Sequence, residues 1–184
     1  MRKIRLKIAI IIVLALVLTC LSGCSGNAKA TDAIDSVLVA IQDQDEQEIK
    51  NYLSAVRFDS EEYSVSEKAF AAVYFSDFSY EIIGSEKNKS GTVTVDVKIT
   101  TKSMKDMLSA LEEARNIALE SGSFTAGSPS ADAELIDIFE SRNWDTHENI
   151  FNIEMEKNES GDWQPADKAL LGAMLLDGYD PRQV

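Results

Sequence analysis

The sequence predicts an α+β fold: N-terminal helices and a long central helix packed on a small antiparallel sheet made of two hairpins. Three observations carry this. Apolar residues recur at helical spacing from about residue 32 to 74. The period then switches to two across residues 78–99. A second helical stretch and a second alternating stretch follow in the same order. Helices and strands that come in runs segregate, rather than interleaving as in a parallel α/β sheet.

The elements follow in order. A first helix begins near Thr31 or Asp32 and puts Ile34, Val37, Leu38 and Ile41 on one face. Asp45-Glu46-Gln47-Glu48 opens a second helix as an acidic capping box, with Ile49, Tyr52, Leu53 and Val56 as its stripe. A third starts around Ser64, with Phe70, Val73 and Tyr74 inward. Phe78, Tyr80 and Ile82 then alternate with Ser79, Glu81 and Ile83. After the turn cluster Lys87 to Gly91, Val93, Val95, Val97 and Ile99 alternate with polar residues, as a strand with one wet face requires.

A long helix from Ser103–Asp106 to Ser121 carries Met104, Met107, Leu108, Leu111, Ala114 and Ala118. A small-residue loop, SGSFTAGSPS, leads to a helix from about Ala131 to Arg142 with Leu135, Ile138 and Phe139 inward. Phe151, Ile153 and Met155 form the third strand, and Asn158 to Asp162 turns the chain into a return strand at Trp163–Pro165. Asp167 caps a last helix with Leu170, Leu171, Met174 and Leu175, which Gly178 ends. No internal sequence repeat is visible, although the hairpin-then-helix order occurs twice.

The first 26 residues decide location. Arg2, Lys3, Arg5 and Lys7 precede an apolar run from Ile8 to Leu18. That run is shorter than the roughly 20 residues a spanning helix needs, and small polar residues then dilute it. Leu21-Ser22-Gly23-Cys24 resembles a bacterial lipobox. The resemblance implies cleavage between Gly23 and Cys24 and a diacylglyceryl group on the Cys24 thiol. The expected organisation is a signal peptide over 1–23, a lipidated tether over 24–31, and one α+β domain over 32–180. The protein is then membrane-attached through the lipid on Cys24, at the outer face of the cytoplasmic membrane.

Composition narrows what the domain can do. The signal carries four basic and no acidic residues, so its removal takes the formal charge from −13 to −17. Such a module is repelled by nucleic acid, which is excluded as a partner. Of the two cysteines, Cys20 leaves with the signal and Cys24 carries lipid. No disulfide, cysteine nucleophile or thiolate metal site remains, and the single histidine rules out a multi-histidine centre.

The helix pair from Ile34 to Val56, the segment VTVDVKITTKSMKDML (Val93 to Leu108) with its following Leu111, and the turn NESGDWQP (Asn158 to Pro165) resemble small lipoproteins of Gram-positive bacteria. Their domains are similar to the nuclear-transport-factor-2-like cone fold. The resemblance implies helices over a bent sheet and a function in binding or in cavity chemistry.

No catalytic constellation stands out. His147, within Asp145-Thr146-His147-Glu148, is a candidate general base, but no Gly-x-Ser-x-Gly elbow accompanies it, and the position reads as an exposed loop. The acidic run Asp43 to Glu48 fails as a calcium loop, because its sixth and twelfth positions are Glu48 and Ser54. GSFTAG lacks the Lys-Ser/Thr of a phosphate loop. The candidates for a pocket or contact surface are Tyr74, Tyr80, Phe124, Trp144 and Trp163, with ordinary core packing as the competing role. No cofactor or metal is expected. The leading expectation is a non-catalytic binding domain for a small apolar ligand or an envelope protein. The alternatives are a small-cavity isomerase or dehydratase, with Asp96 and Glu154 placed on the wet face, and a structural subunit of an envelope complex.

Overall fold

The computed structural model describes residues 25–63, 65–120 and 129–180. The lipobox, including Gly23 and Cys24, and Phe124 lie outside these residues. The chain forms α1 (Ser25–Gln42), α2 (Glu46–Val56), a 3-10 turn (Ser60–Tyr63), α3 (Glu67–Tyr74), β1 (Ser79–Lys87), β2 (Val93–Lys102), α4 (Met104–Glu120), α5 (Pro129–Ser141), β3 (Thr146–Lys157), β4 (Trp163–Pro165) and α6 (Lys168–Leu175). The strands make one antiparallel sheet in the order β1-β2-β3-β4. The architecture is α+β, as the periodicities predict.

The joint between the two hairpins is a long ladder. β2 and β3 stay in register from Val93↔Met155 to Lys102↔Thr146, with α4 and α5 forming the connection. Val93, Val95, Val97, Ile99, Ile153 and Met155 are buried on the inner face. On the outer face Asn152 donates to Asp96 Oδ1 at 2.5 Å and Thr92 to Glu154 Oε1 at 2.7 Å. Asp96 and Glu154 therefore sit on the wet face, as their alternation predicts. β1 carries a bulge between Ile82 and Gly84, which leaves Ile83 half exposed.

α1 is the helix that runs across the sheet, reaching all four strands. Its buried stripe is Ala30, Ile34, Leu38 and Ile41. The helix starts at Ser25, so residues 25–31 are helical and not the expected polar tether. The seven residues SGNAKAT look like a linker by composition, yet Ala30 is fully buried one turn before Ile34. α4, expected on the sheet, packs chiefly against α5 and the 3-10 turn. Met104, Met107, Ala110, Leu111 and Ala114 supply its buried side.

Local signals set the helix starts. Asp45, Ser66 and Asp167 each accept a hydrogen bond from the backbone N–H three residues on, which satisfies an orphan donor. The third helix accordingly starts after Ser66 and not at Ser64. Asp132, in the first turn of α5, receives both the Ser66 N–H and hydroxyl at 2.7 Å, fastening α5 to the cap of α3. α2 meets α6 at Gly172, where a β-carbon would lie 2.5 Å from the Tyr52 carbonyl oxygen. Leu170, expected inward, is half exposed, because the buried stripe of α6 runs through Leu171, Gly172 and Leu175.

The hairpin turns repeat one another. Glu-Lys-Asn-x-Ser-Gly occurs at 86–91 and again at 156–161. Asn88 N–H donates to Thr92 O and Asn158 N–H to Asp162 O, both at 2.9 Å. Gly91 and Gly161 take φ of +93° and +88°, a conformation that side chains disfavour. A short internal repeat does exist, therefore, at the two turns. It is hidden because the strands on either side differ in sequence.

Candidate functional site

The five aromatic candidates do not converge on one pocket. Tyr74 is fully buried within a chain of rings, with Phe70 at 5.3 Å and Phe75 at 5.0 Å between centroids. The chain continues through Phe78 to Tyr80. Tyr80 reaches from β1 to α1, its hydroxyl donating to Asp35 Oδ1 at 2.7 Å. Trp144 stacks on Phe139 and donates its indole N–H to the Phe139 carbonyl at 3.0 Å. These three serve packing and anchoring. Phe124 lies outside the described residues.

Trp163 is different. It lies on the floor of a surface groove of about 400 Å³ between α1 and the β3–β4 turn. Lys29, Asp32, Ala33 and Ser36 line one wall. Their spacing places them on a single face of α1, beside its buried stripe. Lys157, Gly161 and Asp162 form the other wall. The Lys157 ammonium stands 5.4 Å from the Trp163 ring centroid, a cation–π contact. The indole N–H is buried and has no hydrogen-bond acceptor among the described residues. The groove thus combines an aromatic surface with two ammonium and two carboxylate groups.

Three smaller grooves lie elsewhere on the surface. One of about 260 Å³ separates α2 from α3, between Lys50, Glu67, Lys68 and Glu46. One of about 170 Å³ borders Trp144 and Arg142. Another of about 170 Å³ runs between β3 and α6, past Ile153, Leu170 and Met174.

Two polar clusters have catalytic-looking composition. His147 is not in a loop. It belongs to β3, opposite Thr101, with its side chain half exposed. Its partner carboxylate is Asp177, not its sequence neighbours Asp145 or Glu148. Asp177 Oδ2 lies 2.8 Å from His147 Nδ1, and Asn149 donates to Oδ1 at 2.9 Å. Asp177 adopts a left-handed backbone, φ +58°, at the end of α6. Below it, burial raises the Tyr74 pKa above the ordinary phenol range; Thr101 opposes this and the Asp177 charge adds to it. The Tyr74 hydroxyl makes no well-formed hydrogen bond among the described residues. This cluster borders none of the four grooves. It joins β3 to α6.

The second cluster surrounds Lys102, which is fully buried at the end of β2. Its ammonium donates to Ser76 Oγ at 2.6 Å and Asp77 Oδ2 at 2.5 Å, and lies 5.0 Å from the Phe139 ring centroid. The amine donates to both Ser76 and Asp77, so it offers the serine a donor and not a base. Lys102 is a structural cation.

Among the described residues no group of three or more His, Cys, Asp or Glu is placed to hold a metal ion. No helix among them is long and apolar enough to cross a membrane. No protein-family profile matches the chain, and no curated protein or solved structure matches it. The lipobox and the cone-fold likeness therefore rest on the residues quoted for them.

Proposed function

We propose that this protein is a membrane-anchored extracytoplasmic lipoprotein whose domain binds a partner without transforming it. The single observation that carries the anchor is the order of basic start, eleven-residue apolar run and Leu-Ser-Gly-Cys in residues 2–24. Two acyl chains on Cys24 hold a protein at a bilayer where one chain gives only marginal attachment. The binding reading draws on the groove between α1 and the β3–β4 turn. Its mixed charge around Trp163 is suited to recognition, and its one hydroxyl, that of Ser36, donates to the Asp32 carbonyl within α1.

The rival reading as an isomerase or dehydratase needs an acid–base group in a shielded cavity. The His147–Asp177 pair is the arrangement that favours it, and that pair borders none of the four grooves described above. Metabolic labelling with an alkyne fatty acid tests the anchor. The expected result is label on the wild-type protein and none on Cys24→Ala. Label that persists on Cys24→Ala overturns the proposal.

A further inference from the structure

α1 begins at Ser25, the residue bonded directly to Cys24, and continues unbroken to Gln42. A flexible tether would let the domain float away from its anchor. A helix that starts one residue after the acylated cysteine holds the domain close to the bilayer. Lys29 lies about 6 Å of helical rise from Ser25. The headgroup layer of one leaflet is about 5–8 Å deep. With α1 normal to the bilayer and Ser25 at the edge of the hydrocarbon, the Lys29 end of the groove would lie at headgroup depth, and leaning the domain toward the β3–β4 turn would bring in the rest.

The chemistry of the groove fits that location. Tryptophan favours the membrane–water boundary, where one part of the ring is apolar and the other wet. Trp163 lies on the floor, and the exposed Lys29, Asp32, Lys157 and Asp162 line the walls. A mature chain of formal charge −17 is repelled by an anionic bilayer. A zwitterionic headgroup carries no net charge and offers one partner to each sign in the groove.

Resting on the lipid-anchor reading above, we propose that this groove docks on the bilayer and holds a zwitterionic phospholipid headgroup, its phosphate at Lys29 and Lys157 and its ammonium at Asp32 and Asp162. The anchor and the groove then act as a two-point attachment that fixes the orientation of the domain. The second point adds no affinity for a free ligand. It works by the high effective concentration that the first point creates.

The test uses the full processed protein carrying Trp144→Phe, so that Trp163 is its sole indole. The protein is reconstituted into phosphatidylethanolamine–phosphatidylcholine vesicles doped with a lipid bearing a nitroxide on its headgroup. Intact mass reports the acyl groups. The expected result is quenching of Trp163 by the nitroxide, and its loss in Lys29→Glu/Lys157→Glu without loss of vesicle attachment. A diacylated, vesicle-bound protein whose Trp163 is unquenched overturns the docking and leaves the anchor intact. Equal quenching in the double variant overturns headgroup recognition. A Trp163 response to free phosphoethanolamine but not to the bilayer makes the groove a soluble-ligand site and also overturns the proposal. Absence of acyl mass on Cys24 refutes the anchor itself.

Discussion

Replacing Gly172 by alanine is the sharpest test of how α2 and α6 meet. The added β-carbon would lie 2.5 Å from the Tyr52 carbonyl oxygen and 2.8 Å from Val56 Cγ1. Two effects oppose. Alanine gains about 1 kcal/mol over glycine within a helix. Overpacking costs typically about 1–3 kcal/mol, and the upper end applies here because the nearer obstacle is backbone, which cannot rotate away. The expected net loss is about 2 kcal/mol, equivalent to a fall in Tm of about 4–8 °C for a domain of this size. Urea denaturation of wild-type and variant protein gives the loss directly. Val56→Ala combined with Gly172→Ala isolates the smaller clash. Truncating Val56 should cost less in the variant than in the wild type, while the Tyr52 clash persists. A Gly172→Ala protein about 1 kcal/mol more stable than the wild type would refute the close approach, because helix propensity alone would then decide the outcome.

Other perturbations follow from the same geometry. Asp77→Ala leaves the buried Lys102 ammonium, among the described residues, with Ser76 and the Phe139 ring, so it should destabilise more than Lys102→Met, which removes the charge and keeps the volume; comparative urea midpoints check the order. Tyr52, Tyr74 and Tyr80 all have pKa values raised chiefly by burial, with Glu48 adding at Tyr52 and Asp35 at Tyr80. A raised folded pKa means stability fully present below the unfolded value of about 10 and lost as pH rises above it. Stability should hold flat up to that point and then fall, while phenolate absorbance in the folded protein lags behind that of the denatured chain. Phe in place of Tyr74 should make the alkaline fall shallower. Asp132→Ala removes both bonds to Ser66 and should lower stability by about 1–3 kcal/mol, with hydrogen exchange rising first at the start of α3.

Much of the fold was legible because single residues declare it. The four alternating apolar residues from Val93 to Ile99 admit only a half-buried strand, and all four are buried. Asp167 announces the start of α6, where its carboxylate accepts from Leu170 N–H. The start of α1 was not legible from composition, since small polar residues fit a tether as well as a helix. The spacing of Ala30 from Ile34 was the available signal. The polar surroundings of His147 predict an exposed loop position; the side chain is half exposed, but the residue lies in β3. β3 extends to Thr146 because its ladder with β2 runs the full length of that strand, beyond the apolar alternation. Its pairing with Asp177 depends on a left-handed residue thirty positions later, which no local pattern specifies. The groove around Trp163 was half legible. The tryptophan stood out, but its opposite wall belongs to α1, whose helical face was hidden in the supposed linker.

The repeated turns have a kinetic consequence. Each hairpin closes between residues that are near neighbours in sequence, Lys87 with Val93 and Lys157 with Trp163. Hairpins of this kind form in about 1–10 μs. The β2–β3 ladder instead begins with Lys102 and Thr146, separated by α4 and α5. Closing that longer loop costs about 2 kcal/mol more chain entropy than closing a tight turn, at about 0.6 kcal/mol per doubling of length. Two pieces that form early and locally thus wait on one late, non-local joining step. Damage to either turn should therefore slow folding and leave unfolding nearly unchanged, because both turns are already made when the seam closes, whereas seam contacts completed after that step should mainly set the unfolding rate.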